Sequence, residues 1–289
     1  KRQDMLYVLP AVSVSFQKQS ANAAITSGNN TYQFDGATFD VFESASGARV
    51  GTIQMDSSGR AQAALLPNTA YYLVETTAPA GYIPLHDRIA FTTTNNGGYV
   101  TIDEQPGTIT LRIVKLDAAT NAGPQVGASL AGAEFVCVSQ STPGWTQTLR
   151  TDESGRATLT DVPLGTFTIY ESKAPEGYLP SGDSWSYTVG ADQLGDSGVV
   201  EIESRVSDIP IAFDLEISKF KDYGNSDQSG LEQPAGDVVF EVVSNSSQQV
   251  VGTLTTNIYG FASTKDQGRR RVRTRGYGRG NRGIRLPGF

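Results

Sequence analysis

The chain has 289 residues, 38% hydrophobic and 18% charged, which is enough apolar material for packed cores and argues against global disorder. One His (His86) and one Cys (Cys137) exclude a multi-ligand His/Cys metal site and an intrachain disulfide framework, and no cofactor is expected. The net charge of −7 hides an asymmetry: residues 267–289 hold eight of the 23 basic residues and no acid, leaving 15 basic against 30 acidic residues before them. An acidic body argues against nucleic acid as the partner of the domains. No apolar run of about 18 residues exists, so no membrane-spanning helix is encoded in this stretch. The chain opens at Lys1 with no visible signal peptide and reads as a fragment or processed form, with any secretion signal or anchor outside it.

In chain order, Val12, Val14, Phe16 and Lys18 alternate on one face, the period of a half-buried strand. Gly36-Ala-Thr-Phe39 follows, then Asp56-Ser-Ser-Gly59, which reads as a β-turn and lacks the ligand count of a calcium loop. Tyr71, Leu73 and Glu75 share the next apolar face, and Ala78-Pro-Ala-Gly-Tyr82 reads as a turn. The same series recurs: Ile109, Leu111, Ile113 and Lys115 repeat the opening strand, and Gly132-Ala-Glu-Phe135, Asp152-Glu-Ser-Gly155, Phe167, Ile169 and Glu171, and Ala174-Pro-Glu-Gly-Tyr178 follow at an offset of 96. A third copy begins with Phe213, Leu215, Ile217 and Lys219 and continues through Phe240 and Gly260, but the match stops after Asp266. A period near 96 suits a string of small domains rather than a solenoid. Strands every 8–15 residues with Gly/Asn/Asp/Ser turns predict all-β sandwiches.

In each copy an otherwise apolar face ends in Lys, and in two copies another ends in Glu. A buried lone charge costs several kcal/mol. One reading is a buried Lys–Glu salt bridge, or polar groups at the sandwich rim. The other is chemical: an amine held dry becomes nucleophilic, a carboxyl held dry stays protonated, and together they can make an amide with a neighbouring carboxyl.

These residues resemble the B-type domains of collagen-binding adhesins (Cna B-type) and the SpaA-like pilin domains of Gram-positive bacteria, over about residues 8–266. The resemblance implies tandem transthyretin-like (inverse-Ig-like) β-sandwiches. Their expected extents are 8–106 and 107–210, with a truncated third copy at 211–266 and an Arg/Gly-rich tail, 267–289, read as disordered or frameshifted. It implies an autocatalytic isopeptide bond between the opening-strand Lys and an Asp or Asn near the last strand, with the box Glu as catalytic partner. In the second domain this gives Lys115, Glu171 and Asp208, the last in phase with Val206. In the first domain Lys18 and Glu75 fit. The acceptor is assigned to Asp103, which a bulge would have to turn inward, because the in-phase residue, Glu104, is neither Asp nor Asn. Without that bulge the domain would carry no bond. Lys219 lacks both partners.

The resemblance further implies an extracellular stalk, pilin or adhesin segment of the cell wall, partnered by other pilin or surface-protein domains. It implies no turnover of an external substrate. A host-matrix or glycan-binding adhesin domain, and a carrier module of a larger surface enzyme, remain alternatives. The family's Leu-Pro-x-Thr-Gly sorting motif is absent from this sequence. Trp145 and Trp185 read as packing rather than sugar-stacking residues, and Cys137, aligned with Val41, reads as a small buried residue.

Overall fold

The computed structural model describes residues 10–125, 128–221, 233–244 and 248–265, together with the backbone of residues 283–284. The remaining residues, which include most of the Arg/Gly-rich tail, lie outside the described residues.

The first unit contains strands β1 (Val12–Ser20), β2 (Thr38–Glu43), β3 (Arg49–Gln54), β4 (Arg60–Leu65), β5 (Ala70–Thr77), β6 (Ile89–Thr92) and β7 (Gly98–Glu104), with one helical turn, α1 (Ala23–Thr26). Its two sheets are ordered β4-β1-β7 and β3-β2-β5-β6. The second unit repeats the plan with β8 (Thr108–Asp117), β9 (Glu134–Ser139), β10 (Thr146–Arg150), β11 (Arg156–Pro163), β12 (Gly165–Lys173), β13 (Tyr178–Leu179), β14 (Ser184–Val189) and β15 (Val199–Pro210). Its sheets run β10-β9-β12-β14 and β11-β8-β15-β13. The alternation read from the sequence sets the two inner faces. Val14 and Phe16 meet Phe39, Val41 and Leu73 in the first core, and Ile109, Leu111 and Ile113 meet Phe135, Cys137, Phe167 and Ile169 in the second. Cys137 is buried there, and burial pushes its thiol up to about 12.

In both units the opening strand lies beside the closing strand, and the two run parallel: β1 with β7, β8 with β15. The chain thus enters at one end of a sandwich and leaves from the other, with its two terminal strands hydrogen-bonded side by side.

The join between the units is built in. The segment after β1 carries Asn29, whose Nδ2 donates to Thr142 Oγ1 at 2.9 Å and to the Leu164 carbonyl at 2.8 Å in the second unit. Thr142 Oγ1 donates back to the Ile25 carbonyl at 2.8 Å, and the Tyr32 hydroxyl bridges the Gly107 carbonyl and the Leu164 amide. The Tyr32 and Tyr82 rings belong to the second unit's apolar cluster. Across the linker, Tyr82 pairs with Pro106 and the Gly107 amide donates to the Gly81 carbonyl. Removing the Asn29 amide leaves a buried carbonyl and hydroxyl short of partners. Asn29→Ala should therefore lower stability by about 1–3 kcal/mol, read as a shift of the urea midpoint.

Fewer residues of the third unit are described. Strand Glu216–Ser218 pairs with Phe261–Ser263, and Val239–Val243 pairs with Val250–Thr255 and, in parallel, with Gly283–Ile284. Its core among the described residues is Val242, Leu254 and Ala262, flanked by Phe213, Leu215, Ile217, Phe240 and Val251.

Candidate functional site

The side chains singled out by alternation converge inside each sandwich. In the second unit Lys115 projects inward from β8, Glu171 from β12 in the facing sheet and Asp208 from β15 beside β8. Lys115 Nζ lies 2.6 Å from Glu171 Oε1 and 2.5 Å from Asp208 Oδ1, and all three side chains are fully buried. The amine sits 5.3 Å from the centre of the Phe135 ring. Neither contact is aligned as a hydrogen bond: Lys115 Nζ, Glu171 Oε1 and both Asp208 oxygens lack an aligned partner among the described residues. The outer Glu171 oxygen is held by the Ser181 amide at 3.2 Å, which fixes the carboxyl's orientation. Burial pushes the Asp208 carboxyl up to about 6, against the opposing pull of Lys115.

The first unit reproduces this arrangement, except that Lys18 Nζ donates an aligned hydrogen bond to Glu75 Oε1. Lys18 Nζ lies 2.5 Å from Glu75 Oε1 and 2.7 Å from Glu104 Oε2, with all three side chains buried. The Leu85 amide holds Glu75 Oε2 at 2.7 Å, and the Phe39 ring centre is 4.4 Å from the amine. The acceptor assigned from the sequence, Asp103, is not in this cluster. The β1–β7 register runs unbroken from Val14↔Gly98 to Ser20↔Glu104, so no bulge turns Asp103 inward. It stands exposed on the outer face and accepts from Gln19 Nε2 at 2.7 Å. Glu104 takes the inner place.

Burial pushes the Glu104 carboxyl up to about 7, only partly offset by Lys18. The folded state therefore holds a proton there that the unfolded chain has released. In the unlinked cluster the resulting stability is present below the ordinary carboxylate range and is lost as pH rises through about 7. Lys18→Met removes the cation between two buried carboxyls, and its destabilisation should be larger near pH ~8 than near pH ~5, measured by urea unfolding at both.

A second sequence feature holds the lysines in place. The Asp56 and Asp152 carboxylates accept from the amides two and four residues ahead, closing turns whose glycines, Gly59 and Gly155, both have φ of +73°. The carbonyls of these glycines accept from the Lys18 and Lys115 amides at 2.7 and 2.8 Å. A Cβ on Gly59 would meet the Lys18 carbonyl at 2.6 Å. The Asp-x-Ser-Gly repeats are thus turns, as read, but they also clamp the lysine backbone. Their near-equal spacing from the lysine in the two copies, Lys18 to Asp56 and Lys115 to Asp152, was the available signal. Lys219 has the same backbone bond, to Gly260, yet its side chain is exposed and makes no ion pair with a described residue. Trp145 and Trp185 pack against the second core, and His86 lies in the loop after the first box turn.

Two-layer β-sandwiches in tandem, each with parallel terminal strands around a buried Lys–carboxyl cluster, define the class as prealbumin-like repeat domains. The chain belongs to the SpaA prealbumin-like fold domain family, whose model matches residues 21–106 and 110–204. Among solved structures, the Bacillus anthracis TIE protein is 21% identical with a TM-score of 0.57, covering 88% of this chain and 43% of its own. The pilus adhesin SpaC from Lactobacillus rhamnosus GG is 18% identical with a TM-score of 0.42, covering 68% of this chain and 31% of its own. The shaft pilin SpaA of the same organism is 16% identical with a TM-score of 0.29, over 70% of this chain and 99% of its own. The chain thus spans less than half the length of the first two. No curated protein matches.

Proposed function

We propose that this chain is a load-bearing segment of a bacterial cell-surface protein, a stalk, pilin or adhesin, whose second domain staples itself once through an amide between Lys115 Nζ and the Asp208 side-chain carboxyl. The observation that carries this reading is the fully buried contact of Lys115 with both Asp208 and Glu171. In the dry cluster a proton passes from the ammonium to a carboxylate. The freed amine attacks the protonated Asp208 carboxyl, Glu171 relays the proton to the departing hydroxyl, and water leaves. Burial favours neutral acid plus neutral amine over the ion pair, and the fixed geometry supplies the effective molarity. No external substrate turns over, and the natural partners are neighbouring surface or pilin domains.

The position of the bond gives it a mechanical use. Tension entering at the start of β8 and leaving at the end of β15 loads parallel neighbours in shear, and a Lys115–Asp208 bond joins those two strands directly. Force then bypasses everything between them. Stretching single molecules from both termini should give no extension step for residues 116–207 in the wild type and should restore that step in Glu171→Ala. A wild-type step of that size would count against the reading.

A further inference from the structure

The first domain contains the same cluster with a different acid. Lys18 pairs with Ile102 across the parallel β1–β7 ladder, and Glu104 lies two residues further on; Lys115 pairs with Val206, and Asp208 lies two residues further on. Glu104 therefore occupies the register of Asp208. The other elements are also duplicated: a box Glu at 2.5 Å from the amine, a backbone amide on that Glu's outer oxygen, a phenylalanine ring over the amine, and a glycine carbonyl on the lysine amide. The only chemical difference at the acceptor is one methylene. The site absorbs it without exposing Glu104, and the amine lies nearer its ring, 4.4 Å against 5.3 Å in the second domain. Both Glu104 oxygens lack an aligned hydrogen-bond partner among the described residues, although one touches Lys18 Nζ at 2.7 Å. A buried carboxyl placed to be consumed has no need of permanent donors, whereas a structural one is normally satisfied.

We propose that the first domain closes its own cross-link through Glu104, as an amide between Lys18 Nζ and Glu104 Cδ. The proposal rests on the reading of the second domain, since it assigns the same chemistry to a longer acceptor. The N–C bond forms as the lysine lone pair attacks Cδ, and the C–O bond to the carboxyl hydroxyl breaks. That hydroxyl leaves as water with a proton from the amine, relayed by Glu75. Nothing is oxidised or reduced, and no co-reactant is required. Asp103, on the outer face, takes no part.

The test is tandem mass spectrometry of proteolytic peptides from the full chain, scoring both lysines. The proposal expects a peptide containing Lys18 joined to one containing Glu104, lighter than their sum by one water. The link should persist in Asp103→Ala and be absent from Glu104→Ala. Glu104→Gln should form the identical amide by releasing ammonia, so the reacted variant and wild type should have the same mass. This arm and the wild-type map hold even if the alanine variant fails to fold. A map with Lys115 linked to Asp208 but Lys18 and Glu104 in free peptides would overturn this proposal alone. A map with neither link would overturn the second-domain reading along with it.

Discussion

Lys115→Met is expected to be the most damaging side-chain truncation in the second domain. The substitution removes the proposed nucleophile, and with it the proposed covalent closure of about 90 residues, for which the chain-entropy relation developed for disulfides gives roughly 4–5 kcal/mol. It also leaves Glu171 and Asp208 facing each other in the dry interior without a cation, and stripping one partner from a buried ionic group costs about 3–5 kcal/mol on its own. The second cost depends on pH. The Asp208 carboxyl is already pushed up to about 6 with the amine present, so protonation relieves the cluster at low pH and the penalty grows as pH rises through that value. Urea titrations of the variant near pH ~5 and ~8 should therefore differ, with the lower midpoint at the higher pH. Asp208→Asn should behave oppositely: the amide can still form, with ammonia as leaving group, so its midpoint should stay close to wild type. Equal midpoints for Lys115→Met and wild type would mean that the cluster contributes neither a bond nor an ion pair.

Phe135→Ala is the second large expectation. Phe135 is fully buried at the centre of the second core, and its ring sits over the Lys115 amine. Truncating a buried phenylalanine costs about 3–5 kcal/mol through lost burial and the cavity left behind. The cavity opens beside the reacting groups, so water can solvate the ammonium and the carboxylates and favour the unreactive ion pair. The variant should therefore be less stable and slower to close the proposed cross-link, which intact mass followed over time after refolding would resolve. Loss of stability with an unchanged closure rate would show that the ring packs the core without keeping the site dry.

Much of this was legible in the sequence, because period-two alternation is a strong signal when apolar residues fill every position but the last and a charge fills that one. Lys115 and Glu171 could be placed on inner faces from that alone, and the repeat of 96 to 97 residues made the same pattern visible at Lys18 and Glu75. The carboxyl that faces Lys18 from the closing strand was harder. Alternation favoured Glu104, but the resemblance favours Asp or Asn, and only the unbroken β1–β7 register excludes the bulge that Asp103 would need. The join between the first two units was not legible. Asn29 and Leu164 are 135 residues apart, and no local period marks a side chain that packs onto another domain. Lys219 marks the opposite limit. Its strand carries the same alternation, but the described core of the third unit is too small to cover the amine, so the pattern is present without the burial that would give it chemistry.

The central claim is that buried Lys–carboxyl clusters in this chain become covalent bonds, and the intact mass of the full chain under denaturing conditions tests it most directly. The account predicts a mass below that of the sequence by two waters, one lost at Lys115 and Asp208 and one at Lys18 and Glu104. Glu171→Ala should restore the first water and Glu75→Ala the second. A chain whose denatured mass equals that of its sequence would contradict the account, leaving both clusters as buried ion pairs within the same fold.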